Sequence, residues 1–413
     1  MKHILPFLAL ILFVCGCTKY ESGYTVNCHF GSLYGEDKML ILTNTNGEII
    51  KTLDVPNGVN SLSEQFYAEG KDLPEQYDLH LVYHTNNFSF NGNIRRTEIL
   101  SHLDVQNGAL VHFSKYPGFI KLIKPAFIEI RDLESFDSLD IADTYAIDSA
   151  VSYLPAEKMV RYTPYVPNNQ GLVIRLLANG ESQFRHLYLP DSLVSDTISI
   201  AWQDFQPENN LQNIELPAGQ SVYGTLEVSA VSPDFKHHVT LARRYGLSST
   251  PQFNHPSGLQ EPVAYSIRIE FDGATYEKIF QPGEPLRFEA SDMVIDGFSA
   301  DATNLSIRTK GKIDMLRAEF FAYESGTWTG SGDELYWKIE GKPESFENHT
   351  FPVFSGYLPD WYDVSKAFKS GSMITAIQFD NHDYPQIREG FPYRLNEPFA
   401  VARSGYRAVW KYF

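Results

Sequence analysis

The chain has 413 residues, 21% of them charged and 43% hydrophobic, and a formal net charge of −17 at pH 7. These fractions are those of folded protein and exclude a long disordered tract, and the length predicts two to four domains. The acidic balance repels a phosphate backbone and so excludes nucleic acid as a partner.

Residues 1–17 carry the most specific pattern. Lys2 and His3 precede an apolar run, Ile4–Val14, that is too short to span a bilayer, and Val14, Cys15 and Gly16 lead to Cys17 with a small residue at the expected cut. The stretch resembles a bacterial lipoprotein signal peptide. The resemblance implies removal of residues 1–16, a diacylglycerol thioether on Cys17 and a further acyl chain on its freed amine. Several buried chains hold a protein to a bilayer where one does so only marginally. Processing leaves 413 − 16 = 397 residues and, without Lys2, a net charge of −18. Cys28 is then the one remaining thiol, so no intramolecular disulfide is expected. Thr18 stands where, in the best-known sorting rule, an aspartate would retain the chain at the inner membrane, which favours the outer membrane. Residues 17–23 form a short tether, at most about 25 Å at full extension.

From Tyr24 onward, alternation with period two dominates. A first domain is expected over 24–117. It contains a hairpin in which Met39–Thr43 and Glu48–Leu53 flank Asn44–Thr45–Asn46–Gly47, since Asn-Gly tolerates the positive φ of a tight turn. Cys28 alternates with Val26 and Phe30, so it is either a buried small hydrophobe or faces the other side. His80 and His84 share a strand face, with His102 and His112 on later strands. The four are weighed as a metal cluster, but surface histidines on an edge strand explain them better, and neither metal nor cofactor is expected.

A middle, mostly β domain is expected over 118–290. Leu133–Leu154 is its best helix candidate, capped by Asp132 and carrying an apolar stripe of Phe136, Ile141, Tyr145 and Ile147. The acids Asp132, Glu134, Asp137, Asp140, Asp143 and Asp148 lack the glycine turn of a calcium loop and read as its solvated face. Thr225–Ala230 and Ser266–Phe271 alternate as strands, and Trp202 keeps phase with Ile198 and Ile200 as a core residue.

A third domain is expected over 291–413. Leu316, Ala318, Phe320 and Ala322 form one face of a strand, and Trp337 alternates with Leu335 and Ile339 as core. Trp328 lies in the glycine-rich stretch Gly326–Gly332, and Trp361 and Tyr362 follow Tyr357–Leu358–Pro359–Asp360. These rings occur where strands end, the usual binding surface of a sandwich, although rings folded back over the core would fit the same pattern. Trp410 and Tyr412 share a face of a last strand.

The fold class predicted is mostly β: tandem antiparallel β-sandwich, Ig-like domains. No nucleophile elbow, phosphate loop, zinc-protease helix or CxxC pair is present. The combination of lipid anchor, acidic charge and aromatic-rich strands resembles outer-membrane lipoproteins such as surface glycan-binding proteins and fimbrial accessory subunits. That resemblance implies a non-enzymatic binding protein. Trp328, Trp361 and Tyr362 would stack on a glycan, with Asp360, Asp333 and Asp363 accepting hydroxyl hydrogen bonds. A structural or adhesion subunit meeting protein partners is the alternative, and a carboxylate-dependent glycoside hydrolase a third.

Overall fold

The computed structural model describes residues 23–30, 36–67, 75–89, 92–113, 123–125, 127–141, 152–162, 165–167, 171–190, 193, 197–231, 238–246, 248–256, 258–259, 264–301, 303–324, 333–352, 354, 371–380, 384–388 and 405–413. Among these, 64% are strand and 5% helix, so the protein is of the β-sandwich type.

In chain order the strands are β1 (Gly23–His29), β2 (Glu36–Thr43), β3 (Ile49–Val55), β4 (Ser61–Tyr67), β5 (Gln76–Ser89), β6 (Gly92–Gln106), β7 (Leu110–His112), β8 (Ile123–Pro125), β9 (Phe127–Arg131) and β10 (Phe136–Ile141). There follow β11 (Ser152–Leu154), β12 (Met159–Tyr162), β13 (Tyr165–Pro167), β14 (Leu172–Ala178), β15 (Arg185–Leu189), β16 (Thr197–Ala201), β17 (Gln206–Pro207), β18 (Leu211–Asn213), β19 (Thr225–Val231) and β20 (His238–Tyr245). The last are β21 (Gln252–Asn254), β22 (Ala264–Phe271), β23 (Ala274–Phe280), β24 (Val294–Ala300), β25 (Asn304–Lys310), β26 (Met315–Tyr323), β27 (Glu334–Gly341), β28 (His349–Thr350), β29 (Ser372–Phe379) and β30 (Tyr406–Tyr412). A short helix, α1 (Tyr384–Arg388), lies between β29 and β30.

Twelve strands form one sheet in the order β20-β19-β22-β23-β30-β29-β26-β27-β6-β5-β2-β3. Pairing crosses both turns expected to divide the chain: β6 runs parallel to β27, and β23 pairs antiparallel with β30. The β2-β5-β6 portion is buried on both faces. Leu40 and Leu42 pack with Tyr24, Val26, Cys28 and Val111 of the sheet β4-β1-β7, while Ile41 packs on the other side with Leu305, Ile307 and Trp337. An uninterrupted Met-Leu-Ile-Leu run is what such double burial demands, since alternate residues must both be apolar.

Strands β9–β12 and β14–β17 form a further sandwich. Sheet β10-β14-β15-β17 faces sheet β11-β12-β9-β16, and Ile174, Leu176 and Leu189 from one meet Ile128, Ile130 and Ile200 from the other. The helix expected over Leu133–Leu154 is corrected here: none of its described residues is helical, Phe136–Ile141 forming β10 and Ser152–Leu154 forming β11. Asp132, the expected cap, has φ +62, a left-handed turn residue, and β10 takes its hydrogen bonds from the apolar strand β14. Cross-strand pairing outweighs a weak apolar stripe. Trp202 is half-buried on a 3-10 turn beside Phe205 rather than in a strand.

The Asn46–Gly47 turn forms as expected. Asn44 and Glu48 close it by a main-chain bond of 3.0 Å, and Gly47 takes φ +78. A Cβ at Gly47 would lie 2.8 Å from the Phe351 carbonyl oxygen, so this tip is pressed against the chain before β29.

Candidate functional site

Cys17, Trp328, Asp360, Trp361, Tyr362 and Asp363 lie outside the described residues, but the strand ends on either side of the Trp328 segment, and the one that follows the Trp361 segment, are described. Across the β26–β27 neck, the Glu324 N–H donates to the Asp333 carbonyl at 2.9 Å and the Asp333 N–H to Glu324 Oε2 at 3.1 Å. These two residues bracket the segment holding Trp328. Ser372, which follows the segment holding Trp361 and Tyr362, is opposite Phe320 in the ladder, and the Phe321 N–H donates to the Gly371 carbonyl at 3.3 Å. Both bounds of the first segment and the C-terminal bound of the second therefore lie at the same end of the same sheet.

The end of β30 reaches that edge too. Tyr412 is opposite Met373, and the Phe413 N–H donates to the Ser372 carbonyl at 2.9 Å. Tyr412 is 71% exposed, Phe413 packs on Phe298 with ring centres 4.9 Å apart, and Lys411 Nζ lies 5.1 Å from the Phe413 ring. The alternation that pairs Trp410 with Tyr412 gave no direction; the structure leaves Trp410 half-buried and Tyr412 in solvent.

A second concave surface, of about 580 Å³, lies on β24 and β25 beside the 3-10 turn Pro343–Phe346. A register shift between Ile295 and Gly297 sets Asp296 apart, and Lys310 Nζ holds it at 2.8 Å, which keeps its carboxyl below the usual range. Arg308, opposite Gly297, lies flat across it: a Cβ there would be 2.6 Å from Arg308 Nε. The isolated glycine in a strand was the only sequence signal of this close approach.

The histidines do not form one cluster. His80 is fully buried on interior strand β5, with Nε2 3.2 Å from Thr43 Oγ1 and Nδ1 2.8 Å from Ser101 Oγ, while the Trp337 indole N–H donates to that same Ser101 oxygen at 2.9 Å. Burial, with the nearby His349 and His102, pushes His80 down to about 3, so its ring is neutral. His102 follows Ser101 and points to the opposite face, where its Nδ1 is 3.2 Å from the Tyr384 hydroxyl of α1. Among the described residues, no group of three or more His, Cys, Asp or Glu side chains is placed to hold a metal ion.

On the His102 face runs a row of buried charges. Glu340 accepts from Arg317 at 2.8 Å and lies 3.3 Å from Lys338 Nζ. Burial alone would raise the Glu340 carboxyl, but Lys338, Arg317 and His102 outweigh it and hold the group well below its ordinary value. Tyr83 donates to Glu98 at 2.7 Å, and Tyr336 donates to Glu319. These contacts tie β5, β6, β26 and β27 together, a stabilising role for which compensated charges suffice.

No protein-family model matches the chain, and no curated protein matches it.

Proposed function

We propose that the protein is an outer-membrane lipoprotein, anchored through acyl chains on Cys17, whose C-terminal region binds a glycan without cleaving it. The observation that carries this reading is the arrival at one sheet end of exposed Tyr412, of the two residues that bracket Trp328, and of Gly371 and Ser372, which follow the segment of Trp361 and Tyr362. Aromatic faces presented at such an end would suit stacking on the apolar face of a pyranose, and Asp333 and Asp360 would accept hydroxyl hydrogen bonds. The test is retention of the purified protein on immobilised polysaccharides, with W328A, W361A and Y412A as variants. Retention lost in these variants with unchanged thermal unfolding supports the reading; no retention of the parent on any glycan, or equal retention of all variants, removes it. Mass spectrometry of the mature amino terminus tests the anchor separately.

The alternative, a subunit meeting protein partners by strand addition, draws on β3. It is an outer strand of the twelve-stranded sheet, has no proline, and leaves Ile49 42% exposed. Stoichiometric co-purification of another envelope protein, abolished by proline at Thr52, would favour it.

A further inference from the structure

His29 ends β1 and His112 ends β7, and the two are register partners in a parallel pair. Their neighbours Cys28 and Val111 are 1% and 0% exposed in the core, so alternation sends both imidazoles to the opposite face, where each is half-buried. The ring centres are 4.8 Å apart, with 39° between the planes. The pair is held in place from behind: the Phe113 N–H donates to the His29 carbonyl at 2.9 Å, and Phe30 and Phe113 stack with 10° between their rings.

We propose that His29 and His112 together chelate a divalent transition-metal ion of the Cu²⁺, Ni²⁺ or Zn²⁺ class, each offering one ring nitrogen. A metal–nitrogen bond of about 2.0–2.1 Å puts the ion about 3.2 Å from each ring centre. Ring centres 4.8 Å apart then subtend about 97° at the ion. That angle lies between the square-planar and tetrahedral values these ions adopt. Imidazole selects these metals over Ca²⁺ and Mg²⁺, which require oxygen donors. Rival histidines inside the fold are poorly reachable: His80, His102, His186, His255 and His349 are at most 6% exposed.

The test is calorimetric titration of the full-length protein in detergent with Cu²⁺ and, separately, Ni²⁺, for the parent and for H29Q and H112Q. The expected result is one site in the parent, weakened at least about tenfold in each single variant. Two coupled nitrogens are expected in the Cu²⁺ paramagnetic resonance spectrum of the parent, and excess Ca²⁺ should not compete. Parent-like affinity in either variant, or two nitrogens still coupled after loss of His112, overturns the proposal. If a variant does not fold, the unsubstituted protein decides: sub-stoichiometric Cu²⁺ should broaden the imidazole signals of His29 and His112 first, and earlier broadening of other histidines overturns the site.

Discussion

His349 Nε2 stands 3.8 Å from Asp78 Oδ2, and both buried atoms lack a hydrogen-bond partner among the described residues. The other Asp78 oxygen accepts the N–H of Asp104, whose φ of +52 marks the irregular end of the β5–β6 ladder, and Asp104 in turn accepts from the Ser345 hydroxyl. The carboxyl thus links a backbone kink on β6 to the chain leaving β27.

Burial raises Asp78 to about 8, outweighing the Asp104 N–H, so it is protonated at neutral pH. A folded value above the unfolded value of about 3.9 means that its contribution is complete below that pH and is lost as pH rises through about 8. His349 runs oppositely: burial lowers it to about 4, so its contribution is complete above about 6.5 and fades as pH falls through about 4. The variant D78N keeps the acceptor for Asp104 and offers a permanent donor to His349. Denaturant unfolding should show D78N gaining on the parent as pH rises from 5 to 8, by up to about 1.4 kcal/mol per unit. Parallel stability profiles for the two proteins would contradict a protonated Asp78.

Glu340 neutralises Lys338 and Arg317 inside the sheet. Substituting E340Q leaves the buried Lys338 without this carboxylate, and should cost about 3–5 kcal/mol. The double variant K338M/E340L should recover most of that loss, because it removes the charges together. Urea unfolding of the single and double variants gives the comparison; additive losses would mean the pair is not coupled.

His80 packs edge-on against Phe354 and satisfies two hydroxyls. The change H80A opens a cavity and unpairs Thr43, with an expected loss of about 3 kcal/mol. Because the ring is neutral in the folded state, the parent-minus-variant difference should shrink below about pH 6.5, where the unfolded ring takes up a proton.

Two turn glycines separate backbone strain from contact. Gly58 at φ +81 has open space where a Cβ would go, whereas Gly47 at φ +78 faces the Phe351 carbonyl. G58A should cost about 1–2 kcal/mol for its left-handed backbone alone. G47A should cost clearly more, with thermal unfolding as the measure, since the hairpin tip must also leave the chain it presses on.

Much of this architecture was legible in local pattern. Leu316, Ala318 and Phe320 face inward as their spacing requires, Trp337 is fully buried, and Asn46–Gly47 turns where its chemistry allows. What spacing does not encode is which strands pair at long range, so neither the parallel β6–β27 ladder nor the insertion of β30 between β23 and β29 was visible. The same limit defeated the helix over 133–154, where Asp132 looked like a cap and is instead a left-handed corner. The direction of Tyr412 and the groove around Arg308 depend on neighbours that lie far off in sequence.

The parallel contact between β6 and β27 also sets an order of events. Residue 106 ends one strand and 334 begins its partner, so 334 − 106 = 228 positions of chain must be made before that side of β6 is covered. Until then, a half-finished molecule carries an open ladder edge beside Ile99 and Leu103, prone to stick to its own kind. Slow, late closure of this kind calls for a chaperone that shields newly made chain, and yield in the cell should depend more on that escort than on the stability of the finished fold.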